Sequence, residues 1–247
     1  MLFEEPPRTA YDLNFTLLGT PVRVHPFFWL IMLLLGSSAD TTAQEALVWL
    51  VAAFVSILVH EFGHVLAINY YGSPAHIVLH GFGGLAIQDS NWRRDPKSQI
   101  VISLAGPAAG FLLAGVILIG LKLGGQLAEF RLGLPNLINF QFFTFGKPYV
   151  DLLIGDLLYA NIYWGLLNLL PIYPLDGGQT AASVFQLYDY RDGLRKALML
   201  SIGTAVLIGV YGLTQGWQFS LFFFGYLAYQ NYMTLQQLDG RYPGSRY

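Results

Sequence analysis

Long apolar runs separated by short polar or glycine-rich segments set the pattern of this chain. Six runs, at residues 25–37, 46–69, 98–121, 150–170, 194–213 and 218–233, read as helical spans, since a helix needs about 18 to 20 apolar residues to cross a hydrocarbon core about 30 Å thick. The first is short for a crossing. Between the second and third runs, the segment 76–88 is too short and too glycine-rich for a helix, and its β-branched and apolar residues predict a hairpin of two short strands. An interfacial loop is the other reading of the same pattern. A sheet edge at membrane depth is tolerated only where protein covers it or where it lines a wet cavity. The expected fold class is therefore an all-α polytopic membrane protein, with about six transmembrane helices and a small membrane-embedded β-hairpin between the second and third.

Composition supports one integral membrane domain over 1–247. The chain is 54% hydrophobic and 11% charged, with a mean hydropathy of +0.48, more apolar than a soluble domain of this length requires. A net charge of −2 gives no footprint for nucleic acid. Cysteine is absent, which excludes thiolate ligands and a cysteine nucleophile. The N-terminal residues carry Glu4, Glu5, Pro6 and Pro7 in place of a positively charged leader, so the first helix is expected to be retained. Six crossings from a cytoplasmic N-terminus put Arg8, Arg23, Arg93, Arg94, Lys97, Arg191, Arg195, Lys196, Arg241 and Arg246 inside, and Lys122, Arg131 and Lys147 outside. That bias obeys the positive-inside rule and predicts that both termini are cytoplasmic.

The run His60-Glu61-Phe62-Gly63-His64 carries the candidate chemistry. On a helix, positions i and i+4 share a face, so both imidazoles reach one point and can bind one zinc, with Glu61 near enough to act on a water in the metal's open position. Polar packing inside a helical bundle is the plainer reading. The motif lies roughly 21 Å into its span, however, where ionisable groups are costly unless they bind something or line a wet cavity. A third ligand must come from elsewhere. His76 and His80 lie in the predicted hairpin at a spacing that suits neither a helix face nor a continuation of the motif, so a hydrogen bond or an interfacial position fits them better. Asp176 is the stronger candidate, because Pro171 and Pro174 break a helix just before it and Gly177-Gly178 lets the chain turn tightly after it. Its other reading is an N-cap for a helix starting near Gly177.

Together, His60-Glu61-x-x-His64 in a second span and Asn168-x-x-Pro171-x-x-Pro174-Leu175-Asp176-Gly177-Gly178 resemble the site-2 protease family of intramembrane zinc metalloproteases, over a core of about 46–187. The resemblance implies one Zn2+ per chain held by His60, His64 and Asp176, with Glu61 as general base. It implies that Asn168 holds the substrate backbone or the oxyanion, and that the Gly83-Gly84 segment offers a strand edge to an unwound substrate. The implied function is hydrolysis of a peptide bond within or near a transmembrane segment of another membrane protein, as in regulated intramembrane proteolysis. The charge-derived topology, for its part, puts His64 and Asp176 near cytoplasmic helix ends, so the active site is expected nearer that side. Gly110 stands where the family commonly has asparagine, which favours close helix packing there over a polar role. No appended PDZ or cystathionine-synthase-type domain is expected within 1–247, so substrate choice is expected to fall to the membrane core, the loops, a regulatory membrane partner or a homo-oligomer. A zinc transporter or channel is the alternative, although it calls for ligand-like residues along several helices. A catalytically silent membrane-binding relative is a second alternative, against which the intact Glu61 argues.

Overall fold

The computed structural model describes residues 5–38, 40–88, 95–132 and 138–241. The chain divides into two compact units, Met1–Ser90 with Ala108–Gly165 and Asn91–Pro107 with Leu166–Tyr247. Arg93, Arg94 and Arg246, used in the charge count, lie outside the described residues.

The first unit is organised on a four-stranded sheet of β1 (Leu13–Leu17), β2 (Thr20–Val24), β3 (Ala75–His80) and β4 (Gly83–Gln88), in that order. The expected hairpin is β3–β4, antiparallel from Ala75↔Gln88 to His80↔Gly83. Its extension by a second hairpin is not evident from the pattern: β1 and β2 turn through Leu18 and Gly19, both at positive φ (49° and 82°). Glycine takes that conformation freely and leucine does not. The two hairpins join where β2 runs parallel to β3. Val22, Val24, Ile77, Val78 and Leu79 are all buried, as expected for a parallel pair covered on both faces.

Between β2 and β3 the chain forms α1 (Pro26–Gly36) and α2 (Ala43–Tyr70). His25 caps α1, its Nδ1 accepting from the Phe27 N–H at 3.2 Å, with Pro26 at the first helical position. Thr42 and Glu45 form a capping box at the start of α2. Phe28 of α1 packs edge-on to Phe54 of α2, and Trp49 of α2 donates to the Met32 carbonyl at 2.9 Å. Arg23 of β2 is buried and paired with Asp12 at 3.0 Å and Glu5 at 2.7 Å, both of which precede the sheet. Burial alone would raise Asp12, but hydrogen bonds from Thr9 and Arg23 hold its carboxyl down at about 2.

The remaining elements are α3 (Pro96–Leu123), a hairpin of β5 (Leu127–Leu132) and β6 (Ile138–Phe142), α4 (Pro148–Asn168), α5 (Asp176–Tyr188), α6 (Gly193–Thr214) and α7 (Gln218–Arg241). Among the described residues α2, α3, α4 and α6 are long and apolar enough to cross a membrane, as in an integral membrane protein. This is fewer than the six expected. α1 has 11 residues, about 16 Å of helix, and α7 carries Gln230, Asn231, Gln236, Gln237, Asp239 and Arg241, which lower its hydropathy.

Candidate metal centre

His60, Glu61 and His64 sit together in the interior of α2, all three buried. The ligand atoms they offer lie within 4.8 Å of one another. One helical turn brings His60 Nε2 and His64 Nε2 to 3.2 Å, with the rings nearly perpendicular at 75°. Two imidazole nitrogens bound to one tetrahedral zinc at 2.0–2.1 Å stand about 3.3 Å apart, so the pair is spaced to share that ion. His76 and His80, in the same unit, lie outside the cluster. His80 is buried, accepts weakly from the Phe82 N–H through Nδ1 at 3.4 Å, and has no hydrogen-bond partner at Nε2 among the described residues.

The sheet comes close to Glu61 through a glycine. A Cβ on Gly84 would lie 2.6 Å from both Cδ and Oε1 of Glu61, so the carboxylate side chain rests against the β4 backbone in space that any other residue would fill. Gly83 has a φ of +124°, and a Cβ there would lie 2.7 Å from the Trp164 ring of α4. One turn earlier on α4, Asn161 donates to Ser56 Oγ at 2.8 Å, and Ser56 lies one turn before His60 on α2. α4 therefore braces both the metal helix and the hairpin. A Cβ on Gly110 would make ordinary contact with Asn161 Oδ1 at 3.4 Å, so the space there does not itself require a glycine. Asn161, Ser56 and Trp164 escaped the sequence reading; their signal was polar atoms within apolar spans.

Asn168 and Asp176 belong to the second unit. Asn168 is the last residue of α4, and both side chains are buried. Asp176 is the first residue of α5, not its cap: Leu175 holds the cap position and makes no side-chain cap bond. A carboxylate there faces the positive end of the helix dipole. Gly177 and Gly178 are explained by packing more than by turning. Neither has a positive φ, but a Cβ on Gly177 would strike the Leu169 and Leu170 carbonyls, and one on Gly178 the backbone of Ile172 and Tyr173. The first turn of α5 is thus pressed onto the proline-broken segment that precedes it.

No family model matches the chain. It is 27% identical over 206 residues to a zinc metalloprotease of Methanocaldococcus jannaschii, covering 81% of this chain and 53% of that protein. It is 28% identical over 189 residues to stage IV sporulation protein FB of Bacillus subtilis, covering 75% and 54%. The chain therefore spans about half the length of these curated relatives. Among solved structures, the site-2 protease from Methanocaldococcus jannaschii superposes with a TM-score of 0.56 at 21% identity, covering 91% of this chain and 95% of that one. Sequence relatives and fold agree, and the chain's resemblance to the site-2 protease family, first carried by its two motifs, is borne out.

Proposed function

We propose that the chain is one intramembrane zinc metalloprotease domain that hydrolyses a peptide bond within or near a transmembrane segment of another membrane protein. The observation that carries this reading is the buried His60–His64 pair, spaced for one zinc, with Glu61 beside it inside an apolar helix. In this reading Asp176 supplies the third protein ligand, for which its burial at the start of α5 is support. When bound, the zinc would supply Lewis-acid activation of water and of the scissile carbonyl.

Glu61 accepts the proton of the attacking water at a carboxylate oxygen as the new C–O bond forms. It then delivers that proton to the amine nitrogen as the C–N bond breaks. Asn168 holds the substrate backbone or donates to the oxygen on which charge develops. β4 is the last strand of its sheet, and its Gly83-Gly84 end lies against Glu61. An unwound substrate segment adding along that edge would present extended backbone beside the base. Cytoplasmic termini and a site reached by water from that side follow from the charge asymmetry only if six segments cross; on the four spans α2, α3, α4 and α6 the 13 basic residues divide seven to six and favour neither side. The partners in this reading are the lipid bilayer and a transmembrane protein substrate.

Glu61→Gln tests the core of the proposal. Purified in detergent and given a membrane-protein substrate, the variant should retain zinc and thermal stability while cleavage falls by at least about a hundredfold. Turnover equal to that of the unchanged chain would exclude Glu61 as the base.

A further inference from the structure

The backbone just before Asp176 is held by side chains from three helices. Pro171 and Pro174 bring no N–H, and the chain there is not helical, so the polar groups of Tyr173 and Pro174 lack a regular ladder and must find partners elsewhere. The Tyr173 N–H donates to Ser201 Oγ of α6 at 2.9 Å, and the Tyr173 carbonyl accepts from Asn231 Nδ2 of α7 at 2.6 Å. The Pro174 carbonyl accepts from Gln179 Nε2 of α5 at 3.0 Å.

Each of these groups is itself fixed. Ser201 donates its hydroxyl hydrogen to the Ala197 carbonyl at 2.8 Å, which leaves its oxygen to accept from Tyr173. Asn231 gives its other hydrogen to the Leu227 carbonyl at 2.7 Å. Gln99 of α3 donates to Gln179 Oε1 at 3.0 Å, which orients that amide. Ser201 and Asn231 are 0% and 2% exposed, in helices that bring no ligand to the metal reading. Buried polar groups in such helices are retained where they are paired.

We propose that Ser201 and Asn231, together with Gln179 backed by Gln99, are positioning residues that hold the Tyr173–Pro174 backbone and thereby aim Asp176 at the metal. The inference rests on Asp176 being the third ligand. It makes zinc affinity a property of α6 and α7 as well as of the ligands, in the way that outer hydrogen-bond partners of metal ligands tune affinity about 10- to 100-fold.

The test is zinc affinity of the full chain in detergent micelles, measured by competition with a chromophoric chelator and read beside thermal stability. Ser201→Ala and Asn231→Leu should each weaken zinc binding about tenfold or more. Leu198→Ala, which empties a fully buried position of α6 without touching the Tyr173 bonds, should lower stability and leave the affinity unchanged. Asn231→Leu added to Asp176→Ala should weaken binding no further than Asp176→Ala alone. Should Asn231→Leu fail to accumulate in membranes, Ser201→Ala carries the same comparison.

Wild-type affinity in Ser201→Ala and Asn231→Leu, with weakened binding in Asp176→Ala, would overturn the positioning role while sparing the ligand. An equal loss in Leu198→Ala and the clamp variants would overturn it as well, since the effect would then be general destabilisation. Unchanged affinity in Asp176→Ala would remove the ligand reading itself, and the positioning role with it.

Discussion

His60 and His64 are held one turn apart by an uninterrupted, capped helix, whereas Asp176 follows a segment in which two prolines break the backbone ladder and neighbouring helices lend side chains to complete it. On α2 the geometry is local. The helix sets both imidazoles on one face a turn apart, and their nitrogens stand 3.2 Å from each other. Before α5 the geometry is tertiary: it depends on Ser201 and Asn231, distant in sequence, and on the missing side chains of Gly177 and Gly178. Local geometry tolerates change at a distance, and tertiary geometry does not.

The largest expected effect lies on the tertiary side. Gly177→Ala drives a methyl into the Leu169 and Leu170 carbonyls and should cost about 3 kcal/mol or prevent folding, as followed by thermal unfolding. A variant as stable as the unchanged chain would break the contrast. Gly84→Ala comes next. Its methyl would meet the Glu61 side chain first, so cleavage should fall about 10- to 100-fold while zinc content changes less.

Thr42→Ala removes the capping box of α2 and should cost about 1 kcal/mol with no change in zinc affinity; a parallel loss of zinc would mean that the motif is less insulated than the helix suggests. Asp12→Asn sharpens the comparison from outside both segments. Since the folded-state carboxyl sits at about 2, below its ordinary 3.8, its ion pair with Arg23 stabilises fully above about pH 4 and is lost as pH falls through about 2. Unfolding measured across that window should show a difference of about 1–2 kcal/mol between the two proteins, vanishing at the acid end.

The parts readable in the sequence were those in which spacing along the chain maps directly onto space. His60-Glu61-x-x-His64 is one such case, as are the helices that carry long apolar runs and the strands on either side of Gly81-Phe82. The first hairpin escaped because its turn uses Leu18 at positive φ, where asparagine or glycine would have signalled it. The brace from Asn161 to Ser56 and the clamp from Ser201 and Asn231 to Tyr173 escaped for another reason: each joins residues far apart in sequence through one hydrogen bond. At Gly84 and Gly177 the information is an absent side chain, whose meaning exists only once the opposing atoms are known.

The parallel joint between β2 and β3 carries a cost of its own. The β1–β2 and β3–β4 hairpins are each closed by a two-residue turn, but pairing Val22 with Ile77 encloses the whole of α1 and α2. Loop-closure entropy grows with the length enclosed, and non-local pairings are the slow contacts of folding. The helix that bears the histidines thus lies inside the longest loop its sheet must close, so completing the sheet ties both ends of the α1–α2 segment together.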